Sequence, residues 1–166
     1  MEFELKPLSR DAIPGALERA ERYRLLNEPW QAESICEDIL QVDPRNQAAL
    51  TMLLLAITDQ FSDPISTHRA REVLSAMKGE YEQAYYSGII SERSARARMR
   101  RALPGANFRA YDEFRDAMRS YERAEALRPA GNDEAVLRWN TCVRTLAHHH
   151  ELRPQPEEVL TPLLDD

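Results

Sequence analysis

Helix breakers recur along this chain, and they constrain its fold more than any other feature. Asn27-Glu28-Pro29, Asp43-Pro44, Asp63-Pro64, Gly79, Leu103-Pro104-Gly105 and Pro129 divide it into short segments. Proline excludes the residue before it from helical geometry, so each of these points closes one helix or opens the next. The pieces between them carry apolar residues at helical spacing, and none shows the alternation of an exposed strand.

Seven helices follow from this punctuation. Asp11 is expected to cap the first, with Pro14 in its first turn and Ala16, Ala20, Tyr23 and Leu26 along one face. The second runs from Trp30 to Val42, with Ala32, Ile35, Cys36, Ile39 and Leu40 on one side. Asn46 caps the third, Gln47 to about Gln60, which is apolar nearly all round and therefore expected to be covered on most sides. Asp63-Pro64 starts a fourth, which stops before Gly79. A fifth spans about Glu80 to Ala102. Asn107 is expected to cap a sixth, Phe108 to Leu127, and Asn132 a seventh, Asp133 to about Glu151. Residues 1–10 read as an extension, 11–152 as a helical domain, and 153–166 as an acidic, Pro-rich tail.

At 166 residues, with 30% charged residues and five glycines, the chain suits a single soluble helical domain. Its net charge of −6 argues against nucleic acid as a partner. The charge is uneven: residues 1–90 carry −6, residues 91–128 carry +4, and residues 129–166 carry −4. Cys36 and Cys142 lie in apolar runs and read as small buried hydrophobes rather than a disulfide. Neither a signal peptide nor an apolar run of membrane length is visible, so a cytoplasmic, membrane-free protein is expected. Arginine outnumbers lysine 20 to 2, a bias associated with GC-rich bacterial genomes.

Two segments repeat. Ala32 precedes Pro44 by the same interval that separates Ala117 from Pro129. Cys36, Ile39 and Val42 in one copy match Tyr121, Ala124 and Leu127 in the other. Ala70, Leu74 and Met77 follow the first part of the pattern before Gly79. With Tyr23, Asn27-Glu28, Trp30, Ala32 and Pro44, this register resembles the tetratricopeptide repeat, a helix-turn-helix unit of about 34 residues. The resemblance covers residues 11 to about 147, as three degenerate units and a closing helix. Tyr85, Gly88 and Ser91 follow the pattern more loosely.

The resemblance implies an all-α, right-handed superhelical stack of antiparallel helix hairpins. In such a stack the first helix of each unit lines a concave groove that binds a protein or peptide. The groove positions would be Leu17, Glu21 and Arg24, then Thr51 and Leu55, then Tyr85, Ile89 and Arg93, and finally Asn140 and Arg144. Some family members clamp a C-terminal carboxylate with Lys and Asn; Leu17 and Glu21 stand at the corresponding positions here and argue against that clamp. The implied function is a non-catalytic scaffold or adaptor. The alternatives are a small acidic chaperone of the secretion type, or an accessory subunit of a neighbouring enzyme. Self-association is a further possibility for such a surface.

No phosphate-binding glycine loop and no nucleophile elbow occur, so no catalytic residue, cofactor or metal is assigned. In His148-His149-His150 adjacent imidazoles point about 100° apart on a helix and do not converge on one ion; His148 with Glu151 would supply only two ligands. The plainer reading is a polar helix end near its own carbonyls. Arg93, Arg96 and Arg100 share one helical face, and Arg98 and Arg101 another. Such a run is paired with nearby acids, or is a docking patch for an acidic segment, or, less in keeping with the acidic remainder of the chain, contacts nucleic acid. The tail Glu157–Asp166 is one candidate for that segment. Trp30 and Trp139 lie on apolar faces and are expected to pack.

Overall fold

A computed structural model describes residues 3–61, 64–101 and 103–156. Among these the chain forms seven α-helices and one short 3-10 turn, Arg10–Ala12, with no strand. The helices are α1 (Ile13–Leu25), α2 (Pro29–Val42), α3 (Gln47–Asp59), α4 (Pro64–Ala76), α5 (Glu80–Arg101), α6 (Ala106–Leu127) and α7 (Glu134–His148). None is long and apolar enough to cross a membrane.

The breakers act largely as expected. Pro29 and Pro64 each open a helix, where a missing N–H costs nothing. The Asn46 side chain accepts a hydrogen bond from the Ala49 N–H at 3.0 Å and caps α3. Three caps differ from expectation. Asp11 lies inside the 3-10 turn, and no side chain caps that turn or α1. α6 begins at Ala106, because Gly105 adopts a left-handed φ of 71° that starts the helix before Asn107. α7 starts one residue later than expected, so Asp133 is its N-cap residue and caps nothing with its side chain; Asn132, just outside, accepts from the Glu134 N–H through Oδ1 at 3.1 Å. Asp63, Ala102 and residues 157–166 lie outside the described residues.

Packing follows chain order. Each helix lies against the next, and α1 also touches α3 as α3 touches α5. α3 meets α1, α2, α4 and α5, which is why its Ala49, Leu50, Leu53, Leu54, Ala56 and Ile57 are all buried. The helix pair α5/α6 buries Ala110, Phe114, Ala117, Tyr121 and Ala124 along one stripe of α6. Small residues alternate with aromatic rings there, so the rings enter the gaps that the alanines leave. Gly88 is needed at this crossing: a Cβ on it would stand 2.4 Å from Cε1 of Tyr121. Leu152, beyond α7, also joins the core.

Candidate functional site: an arginine–carboxylate seam

The odd-numbered helices are joined by a chain of ion pairs. From α1, Arg24 Nε donates to Oδ2 of Asp59 at 2.7 Å. From α5, Arg93 Nη1 donates to Oδ1 of the same carboxylate at 2.6 Å, to Thr58 Oγ1 at 2.6 Å and to the Leu55 carbonyl at 3.1 Å. Asp59 stands at the last position of α3, so its carboxylate also faces that helix's free carbonyls and needs cations beside it. The two arginines supply them.

The seam continues through Glu92 of α5, which is 1% exposed. A buried carboxylate needs hydrogen bonds on both oxygens. Tyr121 of α6 donates its hydroxyl to Oε2 at 2.7 Å, and Arg96 donates Nε to Oε1 at 3.1 Å. Arg138 of α7 places Nη1 3.7 Å from Oε1. Arg96 reaches α7 as well, through Thr145 Oγ1 at 3.3 Å, and lies over the Phe114 ring. Four guanidiniums, from α1, α5 and α7, therefore share two carboxylates.

These contacts set the protonation preferences of the seam. Burial lowers the pKa of Arg93, with Asp59 opposing the shift. Burial also pulls Arg138 down, but Glu92 and a hydrogen bond with Tyr85 more than offset it, and its pKa is raised. Tyr121 is raised by burial first and by Glu92 second, so its hydroxyl stays protonated as the donor. Burial pushes both thiols, Cys36 and Cys142, up to about 12; they are inert small hydrophobes.

The sequence-derived positions divide into groups. Arg24, Arg93 and Arg96 come together in the seam, and Leu55 contributes its carbonyl. Leu17, Thr51 and Tyr85 are half-buried and Glu21 is exposed. Ile89 is 1% exposed and offers no surface to a partner. Arg100 and Arg144 are exposed and make no ion pair among the described residues, and Asn140 is half-buried. On α7 it is Arg138 and Thr145, not Asn140 and Arg144, that reach α5. Trp139 packs against the core as expected, but Trp30, the second residue of α2, is 58% exposed, as are Leu25 and Leu26 just before that helix.

Of the arginine run, Arg93, Arg96 and Arg98 are paired with Asp59, Glu92 and Glu113. The pairing is internal, so these three tie helices together rather than forming a free basic face. Asp59, Glu92 and Arg138 were missed from sequence. The i, i+4 spacing of Glu92 and Arg96 was a visible signal for one of these contacts. His148 Nδ1 lies 2.7 Å from the Arg144 carbonyl, as the helix-end reading requires. No group of three His, Cys, Asp or Glu positioned for a metal ion occurs among the described residues. Compared with protein-family models, curated proteins and solved structures, the chain gives no match.

Proposed function

We propose that the chain is a non-catalytic interaction module of tetratricopeptide-like build that binds an acidic protein segment along the face carrying the seam. The observation that carries this reading is that the seam, although its arginines are paired inside the fold, holds more guanidiniums than carboxylates. Arg24, Arg93, Arg96 and Arg138 share two paired carboxylates, Asp59 and Glu92, in a chain whose net charge is −6, and the exposed Arg100 stands one turn beyond Arg96. A guanidinium has five donors, and the contacts of Arg96 and Arg138 leave some of them unused. A carboxylate arriving at this face meets donors already held in position, so little side-chain entropy is lost on binding.

The neighbour-by-neighbour packing of the helices and the repeated Ala32–Pro44 and Ala117–Pro129 intervals support the hairpin-stack part of the reading. A second reading, a chaperone that shields an apolar segment, draws on Leu25, Leu26 and Trp30, which are exposed together at the α1–α2 turn.

Selection of a random peptide library against the immobilised protein separates the two readings. The first predicts enrichment of Asp/Glu-rich sequences whose affinity falls steeply with salt. Arg100→Glu should weaken these peptides and Glu21→Lys should strengthen them, since both residues are exposed, lie one helical turn from Arg96 and Arg24 respectively, and make none of the seam's contacts. Enrichment of neutral apolar peptides lost with Trp30→Ser would favour the second reading. Enrichment of neither class would reject both.

A further inference from the structure

On the other side of α5, a cleft of about 400 Å3 opens between α4, α5 and α6. Arg71 of α4 stands on one wall, and Arg119 and Arg123 of α6, one helical turn apart, stand on the other. Hydroxyls line the rest: Ser87 and Ser91 from α5 and Ser120 from α6. One acid is present, Asp116, and it is engaged by Arg119 in an i, i+3 pair.

Three features of this cleft are not explained by helix packing. Three guanidiniums and one carboxylate leave two positive charges in excess at a single cleft. Arg71 and Arg123 have no carboxylate within ion-pair distance among the described residues, although like charges around a cleft repel each other. The α5/α6 crossing nearby is closed by Gly88 against the Tyr121 ring, yet here the seam between the same helices carries hydroxyls. The Ser120 hydroxyl donates to Ser87 Oγ at 3.5 Å across the two helices, while Ser91 is 5% exposed and has no such partner among the described residues. A buried hydroxyl without an apolar reason for its position is suited to donate to a ligand.

We infer that this cleft binds a phosphomonoester, with Arg71 and Arg123 flanking the phosphate and the serine hydroxyls beneath it. A tetrahedral oxyanion offers three free oxygens to donors on three helices, whereas a carboxylate offers two in one plane. Guanidinium forks match phosphate oxygens in pairs. Asp116 does not oppose the ligand, because Arg119 neutralises it. The site is independent of the seam proposed above, which lies on the opposite side of α5.

The test is a 15N–1H titration of the full chain at constant ionic strength. The probes are inorganic phosphate, a phosphoserine tripeptide and glucose 6-phosphate, with sodium acetate and sodium chloride as controls. Saturable shifts at Ser87, Ser91 and Ser120 are expected with the phosphates and absent with acetate. Whichever organic phosphate binds more tightly than inorganic phosphate identifies the source, a phosphorylated side chain or a sugar phosphate. Arg71→Gln and Arg123→Gln should each weaken phosphate about tenfold, the loss of one charge-assisted contact. Both side chains are exposed, so the fold should tolerate the changes. Equal shifts from acetate and phosphate, shifts that fail to saturate, or unchanged affinity in the double variant would overturn the inference.

Discussion

The pairs α1/α2 and α5/α6 do the same topological work with different materials. α1 and α2 have 13 and 14 residues, and their contact is made by Ala20, Ala32, Cys36 and Ile39, with no fully buried charge on either helix. α5 and α6 have 22 residues each, meet at Gly88 against Tyr121, and bury the carboxylate of Glu92 between them and α7. The first pair depends on apolar area alone and tolerates small changes of shape. The second depends on a polar network in which every member needs the others, so single changes there should cost far more.

The largest expected effect follows from that contrast. Glu92→Ala strips Arg96 and Arg138 of their shared counter-ion and leaves the Tyr121 hydroxyl buried without its acceptor. It should lower unfolding free energy by about 3 kcal/mol or more in urea denaturation. A loss below about 1 kcal/mol would mean that the network is incidental and that the two pairs are alike.

The glycines sharpen the comparison with opposite signs. Gly88→Ala forces a methyl into the Tyr121 ring and should cost about 2 kcal/mol. Gly15→Ala in α1 meets nothing within 4 Å and should stabilise by about 0.5 kcal/mol, through helix propensity and a less flexible unfolded chain. Thermal melts of the two variants check both signs.

The thiols test whether the apolar contribution is shared. Burial pushes Cys36 and Cys142 each up to about 12 from the ordinary thiol value of 9.0, so the folded chain holds protons that the unfolded chain releases. Their contribution is complete below about pH 9 and is lost as pH rises toward 12, by about 1.4 kcal/mol per pH unit for each thiol. Cys36→Ala and Cys142→Ala should each flatten the decline in stability between pH 9 and 11. Below pH 9 neither thiol should react with iodoacetamide until the protein unfolds.

Asp59→Asn should have a smaller effect, below about 1 kcal/mol, because the Asp59 side chain is a quarter exposed and its pairs are screened. That loss should shrink further in 1 M salt.

The same contrast decides what could be read from sequence. Helix bounds were legible because Pro29, Pro44, Pro64, Gly79 and Pro129 act locally, through φ restriction and missing donors, whatever surrounds them. The burial of α3 was legible because its apolar residues circle the helix. Asn107 misled because Gly105 starts α6 two residues earlier. Trp30 misled because helical phase does not say whether a neighbour reaches that face. The seam was half legible. Arg93 and Arg96 were visible as a face, but Asp59, the partner of Arg93, lies 34 positions away and Arg138, the second partner of Glu92, lies 46 away, and only tertiary packing brings them together.

The central claim is that the seam-bearing face receives an acidic segment. Chemical-shift mapping of the 15N-labelled chain with an Asp/Glu-rich peptide tests it most directly. The account predicts saturable shifts around Leu55, Arg93, Arg96 and Arg138, attenuated by salt, with α2 and α4 unchanged. Shifts confined to α2, α4 and the outer side of α6, or no saturation at low salt, would contradict it.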